Sequence, residues 1–482
     1  MVTKQNVVGR ENLLEWLWAF PVIVPLLLIL FSYILLPWSW GLMDDMQLLG
    51  RSGGVWQCTK DIFAMYFTFG ELKWTHAFHC AFFYKIFEDS PGLFHVFKWA
   101  EVSAVLFIWG SAAYQLTGRK VSLFLVPAIA LSFHYLYDQF FFLSTHETTG
   151  LLFFGLAVLC VVKVLFRSAG KNLCFRFLLW VAAGLCLFLS LGAKETFVAC
   201  GFALGLSVAT FYWMARPSGK GYFWGGLLLA AVFVIYGLVL KIFVSASYTA
   251  HYSFFDLTRI AVGFKAWVLK DLLNHGPWIV AAVILWLTAG AKKVRYAPAE
   301  VWGMLLGCLL YGGFLLVLLP WNTTSYYAGP FGVFFAFFAA IFLSPLLEDV
   351  PFKRGIVLVM AALVLNMFVA QYAGTREGTY HQNTQDLWQW IKGNKAFQEA
   401  AREKQVDCDG REPSDAIVGH VNRCWNLGLT SFHYQPDIKQ ASRGEAKFFV
   451  HSPRFGARSV DDSGWATVFY SRYWQVYQKE AP

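Results

Sequence analysis

Charged residues are scarce in this chain of 482 residues, where Asp, Glu, Lys and Arg make up only 14%. A soluble domain carries about a quarter of its residues as these four types. Apolar residues make up 57% and come in long blocks. The scarcity of charge excludes an ordinary soluble protein and predicts a polytopic membrane protein. It also weakens a nucleic-acid interpretation of the formal net charge of +9, because in a membrane protein the location of Lys and Arg matters more than their total.

The sequence has no repeat of fixed period, no CxxC pair and no His/Cys spacing typical of a metal site. It also lacks a cleavable signal peptide: the first apolar run, about 14–36, is too long for one and has no small-residue cleavage site. That run is therefore predicted to stay as a membrane anchor. Two cysteine pairs, Cys58 with Cys80 and Cys408 with Cys424, fall in segments predicted to lie outside the membrane. In an oxidising compartment each pair could be a disulfide or could remain reduced.

Membrane-spanning helices are the main elements that the sequence predicts, because each needs about 20 apolar residues. Pro21, Pro25 and Pro127 fall inside such runs, where neighbouring helices tolerate the kink that proline causes. The fold class is thus an α-helical polytopic membrane protein. About eleven spans are predicted, at 14–36, 98–117, 121–138, 148–166, 175–192, 197–215, 222–244, 277–290, 300–319, 328–346 and 355–373.

Lys and Arg are distributed unequally between the two sides of the predicted bundle. One set of alternate loops is rich in them, for example at Arg119, Lys120 and Arg167, whereas the opposite set holds only Lys194, Arg259, Lys265 and Lys270 in its short loops. Cytoplasmic loops carry the excess of positive charge, so the N-terminus is predicted to be cytoplasmic and the C-terminus to be outside. A long first loop at 37–97, with helices lying at the membrane interface, and a second loop at 245–276 then face outward.

The chain divides into a membrane domain, 1–373, and a polar tail, 374–482, which is long enough to fold by itself. The tail starts with an amphipathic helical pattern, QDLWQWIKGNKAFQEAAREK. Three later stretches, AIVGHV, AKFFVHS and ATVFYSRYWQVYQ, have the composition of strands. A small α/β domain outside the membrane is therefore predicted.

Ionisable residues at membrane depth are costly and tend to mark function. Here they follow span one, lie between spans three and four, and break the chain between spans five and six. We expect these loops to converge on one cavity. The alternatives are a solvated helix end for the first group, a helix N-cap for the second and a neutralised turn for the third. The residues are Asp44 and Asp45, then Asp138, His146 and Glu147, and finally Lys194 and Glu195.

Such a set suits transfer from a phosphate leaving group. A carboxylate would act as general base on an acceptor hydroxyl that attacks an anomeric carbon. A lysine would bind the phosphate as charge develops on it. The apolar helices would supply a groove for the lipid tail of the donor.

Three stretches, GLMDDMQLLG after the first span, LSLGAKETF at the end of a middle span and NTTSYYAGPFGVFF before a late span, carry a family resemblance. Together with the long first loop and the tail domain, they resemble the GT-C class of polyprenyl-phosphate-sugar-dependent membrane glycosyltransferases. The chain departs from that class in having an Asp-Asp rather than an Asp-Glu pair. It also has no second acidic motif that matches.

The resemblance implies inverting transfer of a sugar from a polyprenyl-phosphate donor, such as an undecaprenyl phosphate, to a glycan, lipid or protein acceptor of the cell envelope. O-antigen or lipopolysaccharide is one such acceptor class, and the bacterial inner membrane is the implied location. No metal is expected. Asp44 is the implied base, ahead of Asp45. Lys194 is the implied phosphate ligand, with Arg259 and Lys265 as weaker donor contacts, and the pocket is implied to include Asp138, His146, Glu147, Glu195, Tyr326 and Tyr327.

Two other functions stay open at this point. An O-antigen ligase or polymerase would use the same lipid carrier, but such proteins rely on Arg and His in large outer loops rather than on an early Asp pair. A transporter or channel would place charges at mid-span depth and often shows internal duplication. The sequence has no such duplication, and its charges at depth are few.

Overall fold

The structure, a computed structural model, describes most of the membrane domain and part of the tail. The predicted spans at 14–36 and 355–373 and the domain boundary at 373/374 lie outside the described residues. The described residues are 53–68, 71–87, 90–133, 146–167, 172–215, 220–243, 257–289, 294–319, 329–349, 383–409, 417–418, 421–422, 426–430, 432–435, 438–441, 444–451, 464–471 and 473–480.

Long apolar helices dominate this part of the chain, as predicted. Seven of the described helices are long and apolar enough to cross a membrane, and two shorter apolar helices accompany them. An integral membrane protein follows, and each predicted span within the described residues coincides with a helix. In chain order the helices are α1 (Val55–Thr68), α2 (Trp74–Phe87), α3 (Pro91–Thr117), α4 (Lys120–Leu131), α5 (His146–Val162, continued by a π turn at Lys163–Arg167), α6 (Leu173–Ala193), α7 (Phe197–Ala215), α8 (Lys220–Phe243), α9 (Leu257–Ala289), α10 (Pro298–Leu318) and α11 (Gly329–Asp349).

The first loop is helical, as predicted, but it is shorter than 37–97. It holds α1 and α2, and α3 already begins at Pro91, where a proline suits the first position of a helix. Lys98, the first residue of the predicted span 98–117, lies within this helix. In the structure its Nζ lies 3.1 Å from Oε2 of Glu101 on the next turn, and both side chains are buried. Because the two charges neutralise each other inside the bundle, the helix continues through them.

The later part of the predicted second loop at 245–276 is helical. From Leu257 the chain forms one helix that continues through Pro277 to Ala289. The polar residues of this segment suggested a loop. However, a helix satisfies its own backbone groups, so an amphipathic extension of a span has no physical need to break. Trp267 and Trp278, one in each half of α9, are both buried.

Aromatic rings and glycines pack the centre of the helical bundle. Trp109 of α3 is fully buried and meets Phe334 and Phe337 of α11 edge to face, at ring-centroid distances of 5.5 and 5.1 Å. α7 and α8 meet through Gly205 and Gly226, where an added Cβ would lie 2.8 Å from the carbonyl oxygen of the opposite glycine. Small residues at such crossings let two membrane helices approach closely.

Basic side chains lie at the end of the bundle where α3 and α5 finish and α6 begins. Arg119 donates from Nε to Oε1 of Glu300 over 3.1 Å, and Arg167 donates to the carbonyl of Gln115 over 2.9 Å. Arg176, near the start of α6, donates to the hydroxyl of Tyr222 on α8. These are residues that the positive-inside pattern predicts to be cytoplasmic.

The tail contains a small α/β domain, as predicted. A five-stranded sheet is accompanied by three helices within the described residues of the tail. These are α12 (383–393), α13 (Lys395–Arg402) and the short helix Ile438–Ala441. The described residues of the stretch AIVGHV, at 417, 418 and 421, are helical and not in a strand as predicted. The sheet has the order β2-β1-β3-β5-β4, parallel among β2, β1 and β3 and antiparallel beyond, and its strands are β1 (Val406–Cys408), β2 (His433–Tyr434), β3 (Phe448–His451), β4 (Trp465–Tyr470) and β5 (Gln475–Lys479).

The tail domain packs directly on the first-loop helices. Tyr66 of α1 and Cys80 of α2 belong to the same buried apolar cluster as Trp388 of α12 and Val450 of β3. Cys58 also lies in this cluster, and it is not joined to Cys80 by a disulfide. Both thiols instead fill apolar space between helices, as buried cysteines commonly do. The second predicted pair is not tested, since Cys424 lies outside the described residues.

Candidate active site

The break between α6 and α7 delivers a lysine to the interior. α6 ends at Ala193 and α7 begins at Phe197, so Lys194 caps α6, its backbone N–H donating to Ser190 over 3.2 Å. The side chain of Lys194 is almost entirely buried. A cation at a helix C-terminus is favoured by the carbonyl ends of the helix. This end of the bundle is opposite to the one that holds Arg119 and Arg167.

Lys194 meets two of the predicted pocket residues, which stand at the start of α5. Its Nζ lies 2.6 Å from Nε2 of His146 and 3.5 Å from Oε1 of Glu147. The same Oε1 lies 3.2 Å from Nε2 of His146. We call these three residues the Lys194 cluster. Glu147 also benefits from its place in the first turn of α5, where a helix favours negative charge.

Glu147 does not act as a helix N-cap, because neither of its carboxylate oxygens accepts a hydrogen bond within the described residues. Its side chain is fully buried. A buried carboxylate normally has several hydrogen-bond donors around it, and one that lacks them calls for an explanation such as a ligand. Lys194 also does not form the neutralised turn pair with Glu195, because it faces His146 and Glu147 instead.

Two local contacts hold α2, α5 and α6 together around this cluster. Ser190 donates to the carbonyl of Gly150 over 3.0 Å, which ties α6 to α5. Gly192 lies against α2 so closely that an added Cβ would stand 2.2 Å from Nε1 of Trp74 and 2.4 Å from Oγ1 of Thr75. Only glycine permits this approach.

A histidine of α2 extends the cluster towards the first-loop helices. The ring of His76 meets the ring of His146 edge to face, with centroids 4.9 Å apart, and its Nε2 lies 3.1 Å from the hydroxyl of Tyr66. Burial, and then the electrostatic influence of the nearby His146 and Lys73, lowers the pKa of His76 well below its usual value. His76 is therefore neutral at pH 7.

A second polar group lies beside the first. Glu101 of α3 accepts hydrogen bonds from Thr149 at 2.7 Å and from Lys98 at 3.1 Å, and it lies 3.5 Å from Nε2 of His79. His79 stands on α2 three residues after His76, which meets His146 of the Lys194 cluster, so Glu101 and Glu147 belong to one polar region. The pKa of His79 is lowered overall, because the effect of burial exceeds the opposing effect of the neighbouring Glu101.

Lys73, just before α2, is also buried. It pairs with Glu71 at 2.6 Å and stands over the ring of Tyr66, 4.5 Å from its centroid. Together with Lys98 and Lys194, it makes three buried lysines at this end of the bundle.

The sequence therefore identified part of this site. Lys194, His146 and Glu147 come together as predicted, whereas Lys265 is exposed on α9. Glu195 is half-buried, and its Oε2 accepts no hydrogen bond within the described residues. Arg259 lies in the first turn of α9. Asp44, Asp45, Asp138, Tyr326 and Tyr327 lie outside the described residues.

Sequence reasoning missed four members of this region: Lys73, His76, Lys98 and Glu101. The signal was present, because each is an ionisable residue within or beside an apolar helical segment. Lys73 and His76 fall in the first loop, whose helices were interpreted only as interfacial, whereas Lys98 and Glu101 fall at the start of the predicted span 98–117. Spacing offered a further clue, since Lys98 and Glu101 are three residues apart and so lie on one face of a helix.

Comparison with known proteins gives limited information. No protein-family model and no curated protein matches the chain. Among solved structures, the chain is similar to ArnT from Cupriavidus metallidurans bound to undecaprenyl phosphate, with 12% identity and a TM-score of 0.47, over 95% of this chain and 97% of that one. It is also similar to ArnT from the same organism in the apo state, with 11% identity and a TM-score of 0.49, over 98% of each chain. At these values the likeness assigns no role to any residue.

Proposed function

We propose that the chain is an inverting membrane glycosyltransferase of the GT-C class, which moves a sugar from a polyprenyl-phosphate donor to an acceptor. The observation that carries the proposal is the Lys194 cluster: a buried ammonium, an imidazole and a carboxylate at one end of an apolar helical bundle. Donor phosphate, lipid tail and acceptor each require a different feature, and the chain offers a candidate for each.

Lys194 is the proposed phosphate ligand. Negative charge develops on the phosphate as the anomeric bond breaks, and a positioned cation in a water-poor site stabilises that charge more strongly than it would in water. In the structure the ammonium is balanced by Glu147 and shares a hydrogen bond with His146. We infer that donor binding redistributes these contacts. The carboxylate of Glu147, which accepts no hydrogen bond within the described residues, then becomes available to a sugar hydroxyl.

An apolar cavity of about 540 Å³ offers space for a lipid tail. It lies among α5, α6, α7 and α8, with Val161, Trp180, Leu187 and Tyr222 in its lining. Leu187 is seven residues before Lys194 on the same stretch of chain, which at 1.5 Å per helical residue is roughly 10 Å away. A tail could therefore occupy the bundle while its phosphate reaches the lysine.

The remaining roles follow from the sequence. Asp44, ahead of Asp45, is proposed to deprotonate the acceptor hydroxyl. Arg259 and Lys265 are proposed as further donor contacts, and Asp138, Glu195, Tyr326 and Tyr327 as pocket residues. Transfer itself is proposed to need no metal. The site is proposed to face outward, because the Lys194 cluster lies opposite the end that holds Arg119, Arg167 and Arg176, and the acceptor is then a glycan, lipid or protein of a bacterial cell envelope.

Two measurements on the detergent-purified full chain test the function. Polyprenyl phosphate should raise its thermal stability in a dose-dependent way, because a ligand that binds only the folded state stabilises it. A radiolabelled polyprenyl-phosphate sugar should transfer its label to an envelope glycan fraction. Lys194→Gln should lose at least about tenfold in transfer, in keeping with the loss of a transition-state contact.

The matched control for Lys194→Gln is Lys120→Gln, at the opposite end of the bundle, and it should transfer at the wild-type rate. The proposal fails if polyprenyl phosphate does not stabilise the wild type. It also fails if purified protein in liposomes exchanges sugar across the membrane without any lipid-linked donor, since that result identifies a transporter. Full transfer activity in both Asp44→Asn and Asp45→Asn would remove the base assignment alone.

A further inference from the structure

Three side chains that commonly ligate metals meet on one face of α2. His76, His79 and Cys80 each offer one ligand atom, and these atoms all lie within 4.8 Å of one another. Their spacing explains the meeting, because residues three and four apart share a helix face. None of the three has a role in the proposed transfer reaction.

The distances between Cys80 and His76 match those of two ligands on one tetrahedral metal. A metal–nitrogen distance of about 2.0 Å and a metal–sulfur distance of about 2.3 Å, at a tetrahedral angle, place the nitrogen and sulfur roughly 3.5 Å apart. In the structure Sγ of Cys80 lies 3.6 Å from Nδ1 and 3.4 Å from Nε2 of His76. The remaining ligand atoms lie at most 4.8 Å apart, so a shift of the His79 ring by up to roughly 1.5 Å brings its nitrogen to the roughly 3.3–3.5 Å that two ligands of one tetrahedral metal require.

The partners outside this set are of the kind that metal sites use. A ligating histidine usually contacts a carboxylate or another polar group through its other ring nitrogen, which fixes the orientation of the ring. His79 has Glu101 at 3.5 Å from Nε2, and His76 has the hydroxyl of Tyr66 at 3.1 Å from Nε2. Glu101 is itself held by Lys98 and Thr149, so its carboxylate is fixed in place.

We propose that His76, His79 and Cys80 bind one zinc-type divalent transition metal ion, with water in the fourth position. The mixed nitrogen and sulfur donor set favours zinc over calcium or magnesium, which prefer oxygen ligands. On binding, the Cys80 thiol releases its proton to solvent and the thiolate sulfur forms the bond to the metal. No electron is transferred, since zinc has no redox chemistry of its own.

The role that follows is structural. His76 touches His146 of the Lys194 cluster, and Gly192 fixes the nearby start of α2 against the end of α6. A metal on α2 would therefore hold the ring of His76 against His146 and stiffen the wall of the cluster. This proposal does not depend on the glycosyltransferase assignment, because the metal is measured without any donor or acceptor.

The experiment uses the full chain purified through a tag that contains no histidine, reloaded with zinc, dialysed and analysed for bound metal by mass spectrometry. The wild type should retain about one zinc per chain, as expected for a site with three protein ligands. Cys80→Ser and His79→Gln should each lose most of it. Cys58→Ser, which alters another buried cysteine of the same apolar cluster, and His95→Gln, which alters another buried histidine, should keep it.

Cobalt supplies a readout in the wild type itself. Titration of Co²⁺ into metal-free wild type should produce a sulfur-to-cobalt charge-transfer band, which Cys58→Ser keeps and Cys80→Ser lacks. The proposal is overturned if the reloaded wild type holds no more metal than Cys80→Ser, or if cobalt gives no thiolate band in the wild type. Either result would mean that Cys80 and His76 are joined only by a hydrogen bond.

Discussion

Lys194→Met should be among the more destabilising single substitutions in this bundle, because it leaves Glu147 buried without its ammonium partner. The Nζ of Lys194 and Oε1 of Glu147 are 3.5 Å apart, and both side chains are nearly inaccessible. At that separation, with an effective dielectric constant of about 20, the Coulomb attraction is about 5 kcal/mol. Breaking one partner of a buried pair usually costs about 3–5 kcal/mol for this reason.

The double variant Lys194→Met/Glu147→Gln removes both charges and should recover part of the loss. We expect the two effects to be less than additive by about 2–3 kcal/mol, near the upper range for residues in direct contact. The measurement is equilibrium unfolding in mixed micelles followed by tryptophan fluorescence, for wild type, both single variants and the double variant.

The exposed pair Lys447 and Glu403 provides the matched control. Their charged atoms are 3.7 Å apart, but both side chains are 60% exposed, and pairs of that kind couple by less than about 1 kcal/mol. The reasoning is refuted if Lys194→Met is as stable as the wild type. It is equally refuted if the Lys194–Glu147 coupling is no larger than that of the exposed pair.

Two further predictions concern packing and titration. Gly192→Ala should lower the free energy of unfolding by about 1–3 kcal/mol, because the added methyl overpacks against Trp74. Gly184→Ala is the control: nothing lies within 4 Å of its added Cβ, and it should raise the free energy of unfolding by roughly 0.5–1 kcal/mol through helix propensity. Thermal melts compare the two variants, and equal effects would contradict the contact. Burial raises the pKa of Asp407 in the tail sheet, so its carboxyl group holds its proton more tightly in the folded state than in the unfolded state. The stability that Asp407 contributes therefore falls as the pH rises from the ordinary aspartate pKa through the raised pKa of the folded state. Asp407→Asn should therefore raise the melting temperature at pH 7 and lose that advantage below the ordinary aspartate pKa; a gain independent of pH, or an equal gain in exposed Asp386→Asn, would contradict this.

Lys194 shows how far sequence reasoning reached. It stood out because a lysine in a two-residue break on the predicted outer side departs from the positive-inside pattern. Its partners could be named as candidates but not paired with it, because His146 and Glu147 are nearly fifty residues earlier in the chain. The pairing required the packing of α5 against α6, which the hydrogen bond from Ser190 to the carbonyl of Gly150 joins.

Lys98 and His76 show where sequence reasoning fell short. His76 lies in a segment interpreted as a loop at the membrane interface, Lys98 is the first residue of the predicted span 98–117, and the structure buries both. A charged residue in an apolar helix is ambiguous in sequence, because it indicates a loop if it is unpaired and a buried site if a partner stands beside it. Only the contact with Glu101 decides between these cases for Lys98.

The sequence by itself determined the helical membrane architecture and the small α/β tail. A bilayer leaves the backbone no partner but its own helix, so each span must appear as a continuous apolar run of sufficient length. The tertiary structure alone decided which ionisable residues meet, that Cys58 and Cys80 are not joined, and that α9 extends beyond its apolar half. Hydrogen bonds and ion pairs act over a few ångströms, and residues distant in the chain reach that range only when the helices pack.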